Sequence, residues 1–266
     1  MRLLEIVAAV RWVDTAPEVD LLTGEVHLDV RTGGFSAADR AAFETALRLA
    51  DAWSATVTLV SAGGAEIEPA LRSLAASGAS RVVRVPDISQ LPGVISAADV
   101  VVCGDVSSDG GTGSAPGWLA HERHAAQALG LVAVDEDGPG VVTAVRRLGA
   151  GRSERVRVSA PSVISVEGSV ATLRRASLGA VRTPIRVEVI DEAVATSPRS
   201  PRVLSTGPWR PRARVLPPPV GDAARDRIVH LTGALVDRTP PRRVELEAPA
   251  AAEAILEQLR AWGYLP

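Results

Sequence analysis

A chain of 266 residues with 46% hydrophobic content is long enough for one large core, or one core with an appendage. Its formal net charge of −2 gives no overall pull toward nucleic acid or an anionic membrane. All 29 basic residues are Arg, which removes Schiff-base and P-loop lysine chemistry, and a single Cys excludes an internal disulfide framework and fits a reducing compartment.

Residues 3–10 form a near-continuous apolar run, as in a strand covered on both faces. The run is too short for a membrane span, Arg11 ends it, and it reads better as a first strand than as a signal peptide, so a cytoplasmic protein is expected. Residues 25–30 read as a short hairpin strand. Ser36 suits a helix N-cap, with Asp39 in the first turn and Ala42, Phe43, Ala46, Leu47 and Leu49 at helical spacing through Ala50. Then follow a strand at 55–60, an amphipathic helix at 66–76 stopped by Gly78, a strand at 80–85, a short helix at 91–97 and a fourth strand at 99–103. A helix at 118–129 and a strand at 131–134 complete the alternation. This order predicts a doubly wound, mainly parallel α/β sheet, with the ligand crevice at the C-terminal strand ends.

From Gly140 the pattern changes. Residues 141–148 and 155–159 alternate apolar and polar side chains, as an inserted antiparallel pair does, and 162–166 reads as a further strand. Residues 168–183 read as a polar loop. Residues 195–220 are rich in Pro, Ser and Arg and read as a linker or extended arm. Residues 226–231 read as a strand, and 249–262 as a helix with Ile255, Leu256 and Leu259 on one face. The division expected is an α/β domain over 1–194 and a C-terminal arm over 195–266 ending in a helix.

The segment carrying most chemistry is the loop from Gly104 to Gly117, built from Gly, Ser, Thr and Asp between an apolar strand and a helix. Bare backbone N–H groups and a helix N-terminus are what a phosphate needs. An ordinary βα turn with extra glycines is the plainer reading. Gly111-Thr112-Gly113 opens a dinucleotide fingerprint, and Asp135-Glu136-Asp137 falls where a ribose partner would. Pro116 stands in place of the third Gly, however, and the loop follows the fourth strand rather than the first. His121 and His124 flank Glu122 on a helix with no third or fourth ligand in view, so an exposed face is the better reading and no metal is expected. Cys103 reads as a small buried residue. Trp118 reads as core, while Trp12 suits either a ring-stacking position near the crevice or the core. No G-x-S-x-G, H-E-x-x-H or Walker A motif occurs, and no nucleophile–base pair stands out, so no catalytic residues are assigned.

The order of these segments resembles the β subunits of electron transfer flavoproteins over almost the whole chain. Val7-Ala8-Ala9-Val10-Arg11 resembles the opening V-x-V-K-R strand, residues 36–49 the first long helix, and Val60-Ser61-Ala62-Gly63 the S-x-G strand end. Residues 104–117 resemble the nucleotide loop, residues 160–166 the L-P-A-V-V strand, and Arg174-Arg175-Ala176-Ser177-Leu178 the R-Y-A-S-L segment. The resemblance implies an adenine nucleotide alpha hydrolase-like fold. It implies a heterodimer with an α subunit that carries most of the FAD, and an AMP in the β subunit, with a second FAD as the alternative. The AMP contacts would fall on Ala9, on Ser36, Ala37, Ala38 and Asp39, on Ala62, and on Ser107, Ser108, Asp109, Gly110, Gly111, Thr112, Gly113 and Ser114. A recognition loop over 168–182 would dock partner dehydrogenases through Val170, Arg174, Arg175 and Leu178, with Val170 as the anchor. The C-terminal arm and helix would embrace the α subunit.

The chain departs from the family in places. Thr172-Leu173 replace Glu-Pro, the basic tract is reduced to Arg182 and Arg186, and Asp14-Thr15-Ala16 stand where a flavin-side Tyr is usual. These departures resemble the divergent actinobacterial branch associated with mycofactocin, whose partners reoxidise a peptide-derived redox cofactor. A stand-alone adenine-nucleotide sensor of the universal-stress type remains the alternative, and an NAD-linked oxidoreductase a third.

Overall fold

The computed structural model describes residues 3–27, 29, 31–107, 113–191, 207, 218–232 and 244–265. In chain order the elements are β1 (Glu5–Ala9), β2 (Trp12–Asp14), β3 (Glu18–Val19), β4 (Val26–His27), β5 (Gly33–Phe35), α1 (Ala37–Trp53), β6 (Thr56–Ala62), α2 (Glu68–Ala75), β7 (Arg81–Val85), α3 (Leu91–Val94) and β8 (Val100–Gly104). They continue with α4 (Ala115–Glu122), β9 (Ala126–Glu136), β10 (Val141–Arg147), β11 (Ser153–Ser159), β12 (Ser162–Val166), α5 (Leu178–Arg182) and β13 (Val187–Val189). These lie in one compact unit, Met1–Trp209. A second unit, Arg210–Pro266, holds α6 (Ala224–Thr232) and α7 (Ala248–Ala261).

The first unit is a doubly wound α/β fold around a 9-stranded sheet of order β11-β10-β9-β12-β8-β1-β6-β7-β13. Neighbours from β9 through β13 run parallel, while β10, added beyond β9, is antiparallel to both β9 and β11. The central strands are apolar at nearly every position because both faces are covered. Alternate residues of one strand go to opposite layers. Ile6, Ala8, Leu59, Val82, Val100 and Val102 meet Phe43 and Leu47 of α1 and Leu71 and Leu74 of α2. Val7, Val60, Val83, Val101 and Val163 meet Leu91 of α3 and Leu119 of α4. Phe43, Leu59 and Leu71 are wholly buried, each contributing about 1.5–3 kcal/mol of transfer free energy.

Several boundaries differ from the sequence reading. The helix expected over 118–129 stops at Glu122. His124 takes φ +49, and from Ala126 the chain is strand β9, pairing Ala126 with Ser162 and Ala128 with Ile164. An Ala-rich stretch suits either state, and the open edge of β12 decides it. Residues expected as a strand at 226–231 lie inside α6. The strand expected over 25–30 shrinks to β4, paired with β3 at Glu18–His27 and Val19–Val26. The polar loop at 168–183 contains α5, capped by the Ser177 hydroxyl, which accepts the Ala180 N–H. Strand β13 escaped notice. It is a three-residue edge that borrows its definition from β7. Most of the expected arm at 195–220 lies outside the described residues.

Candidate functional site

From β1 the chain moves to β6 and β7 on one side, then returns to β8 on the other. The connections therefore part above β1 and β8, which is where an open α/β sheet has its crevice. The register keeps the strand ends level, with Ala9 opposite both Val60 and Cys103. A cavity of about 370 Å³ lies there. Its floor is Ala9, Val10, Ala62, Cys103 and Gly104. Its walls are Arg11, Asp39, Ile88, Leu91 and Leu119, with Asp105 to Ser107 and Gly113 to Pro116 at the rim.

The floor is deep because its side chains are small. A Cβ on Gly104 would stand 3.1 Å from the Ala38 carbonyl carbon and the Asp39 nitrogen, so a larger residue there would press on the first turn of α1. At the rim, Gly113 has φ +60 and lies close to the Asp105 carbonyl. The Asp105 N–H donates to the Val166 carbonyl at 3.0 Å, tying this rim to β12.

Asp39 closes one side. Its carboxylate accepts the Ser36 hydroxyl at 2.6 Å, the Ser36 N–H at 3.3 Å and the Arg11 N–H at 3.1 Å. The Ser36 hydroxyl in turn accepts the Asp39 N–H, completing a capping box that joins the end of β1 to the start of α1. Burial pushes the Asp39 carboxyl above the usual range against these hydrogen bonds. Burial, with the Asp39 charge nearby, pushes the Cys103 thiol to about 12. That thiol is therefore protonated at neutral pH and a poor nucleophile.

The residues singled out in the sequence divide clearly. Ala9, Asp39, Ala62, Ser107, Gly113 and Ser114 line the cavity. Ser36, Ala37 and Ala38 stand behind Asp39 as cap and packing. Ser108, Asp109, Gly110, Gly111 and Thr112 lie outside the described residues. Arg11, Ile88 and Leu91 line the cavity and were missed. Their position just past the ends of β1 and β7 was the available signal. Trp12 does not line it: its ring lies against Gly33, where a Cβ would overlap it, and packs on the core. Trp118 packs on the opposite core layer. Asp135 and Glu136 line a second cavity of about 240 Å³ with Thr45, Arg48, Leu49 and Val170, and do not line the first. His121 and His124 are exposed, with ring centroids 6.4 Å apart. Among the described residues no cluster of His, Cys, Asp and Glu suits a metal ion.

In the segment after β12, Val170 is half-buried against the core. Arg174 is half-buried and tied to α1: its Nε lies 3.0 Å from Glu44 and its Nη1 2.8 Å from Asp51. Arg175 and Leu178 are exposed, Leu178 by 73%. No helix among the described residues is long and apolar enough to cross a membrane.

A match to the electron transfer flavoprotein domain spans residues 26–193, more than half of the chain. No curated protein matches the chain.

Proposed function

The chain belongs to the electron transfer flavoprotein family, and on that premise we propose that it is the β subunit of a heterodimer whose α subunit carries FAD. The observation that carries this reading is the cavity above β1 and β8, walled by the starts of α1 and α4. It suits a nucleotide held for structural reasons. Small strand ends leave room, apolar walls suit a purine, and backbone N–H groups with helix N-termini suit a phosphate. About 370 Å³ is within the range of small-molecule pockets, and AMP is the occupant proposed.

FAD, when bound between the two subunits, supplies the redox chemistry. The chain's own part is to bind, orient and dock. Asp14, at the position of the usual flavin-side Tyr, is committed to structure: its carboxylate accepts the Thr32 hydroxyl at 2.6 Å and the N–H groups of Ala16 and Asp29. Docking of a partner dehydrogenase is assigned to α5. Leu178 and Val181 are 73% and 57% exposed there, beside the exposed Arg175 and Arg182. Half-buried Val170 is a poor anchor by comparison. The absence of Lys and the Thr172-Leu173 replacement favour a partner of the mycofactocin-associated kind over acyl-CoA dehydrogenases.

The test is coexpression with the α subunit. A yellow heterodimer is expected, and denaturation should release FAD and AMP in equal amounts, identified by mass. A colourless chain that ignores the α subunit overturns the reading. An ATP-dependent homodimer without flavin would replace it with a nucleotide sensor.

A further inference from the structure

Two parts of the molecule that the proposed function treats separately meet on one helix. The first turn of α1 packs on the ends of two neighbouring strands, β8 and β12. At the end of β8 is Gly104 of the cavity floor, whose added Cβ would lie 3.1 Å from Ala38 backbone. Just past the end of β12 is Gly168, whose added Cβ would lie 2.9 Å from the Ala37 Cβ and 3.1 Å from the Ala38 nitrogen. Gly168 opens the segment that leads to α5. The same two regions are joined a second time, because the Asp105 N–H at the cavity rim donates to Val166, just before that segment.

Further along α1, Glu44 takes hold of the segment again. Its carboxylate accepts both the backbone N–H and the Nε of Arg174, each at 3.0 Å, and its side chain is only 5% exposed. Asp51, two turns on, receives the other end of the guanidinium at 2.8 Å. Glu44 lies five residues on from Asp39, about 7.5 Å along the helix axis. One helix packed at both ends thus links the two regions through continuous contacts.

Resting on the nucleotide reading above, we propose that α1 couples the cavity to residues 168–177, so that a nucleoside monophosphate bound at the strand ends orders the segment that presents α5. Arg174 is then a positioning residue that fixes the segment to α1, and the exposed Arg175 is left to face outward.

Hydrogen exchange of the full chain with and without AMP tests this. Peptides at the cavity, around 100–107 and 113–120, should exchange more slowly with AMP, and peptides over 168–177 should slow by about threefold or more in parallel. In Glu44→Gln the cavity peptides should still respond while 168–177 should not. By reciprocity the variant should also bind AMP more weakly. Arg174→Gln, which cuts the same tie from the other side, should behave alike if Glu44→Gln does not fold. AMP that protects the cavity but leaves 168–177 unchanged in the wild-type chain overturns the coupling and spares the nucleotide reading. No AMP binding at all overturns both.

Discussion

At the scale of single residues, Asp39 and Cys103 make the site's character testable. The Cys103 thiol, raised to about 12 by burial and the Asp39 charge, should resist iodoacetamide at pH 8 in the folded chain and react readily in urea. Labelling of the folded chain at the rate of a free thiol would refute its protonated, enclosed state. Asp39→Ala removes the acceptor for Ser36 and for the Arg11 N–H together. It should cost about 1–3 kcal/mol in urea denaturation, because the Ser36 cap loses its reciprocal partner and the Arg11 N–H its acceptor. Ser36 was legible as a cap from its neighbours in sequence. That Asp39 also holds Arg11 was not, because the two are 28 residues apart and only the packing of α1 on β1 joins them.

At the scale of elements, α1 carries most of the consequences. Burial raises the Glu44 carboxyl, but hydrogen bonds from Arg174 and Arg48 outweigh burial and leave it below its ordinary value of 4.5. A carboxylate lowered by folding stabilises the fold above its unfolded pKa and loses that contribution as pH falls through the folded one. The stability gap between wild type and Glu44→Gln should therefore be full at neutral pH and close as pH drops below 4.5. A gap that stays constant across that range would contradict the ion pair. Arg174→Ala should cost about 1–3 kcal/mol, less than a fully buried pair because Arg174 is 35% exposed. Gly104→Val, placing carbon against α1 backbone, should cost about 1–3 kcal/mol of overpacking. Thermal or urea unfolding measures both.

At the scale of the whole molecule, the prediction concerns α5. Leu178→Glu lies on an exposed turn and should leave the melting temperature and flavin content unchanged. In the heterodimer it should slow flavin reduction by the donor dehydrogenase about tenfold or more, as loss of an apolar anchor does. Val170→Thr should instead lower stability, since Val170 packs on the core. The opposite pattern would return the anchor to Val170.

The sequence by itself determined the α/β class, the parallel core and the place of the crevice. Apolar runs such as Val100 to Val102 alternate with helical periodicity, and that periodicity is local. Ala9 and Ala62, named through the family resemblance, lie at those strand ends and line the cavity. The tertiary structure alone decided whether residues 126–129 are helix or strand, because the edge of β12 supplies the hydrogen bonds that an Ala-rich stretch takes in either state. It alone decided that Trp12 leaves the crevice for Gly33, that Arg174 turns inward to Glu44, and that Ile88 joins Arg11 around one cavity. Those outcomes rest on contacts between residues far apart in the chain, and such contacts have no local signature to read.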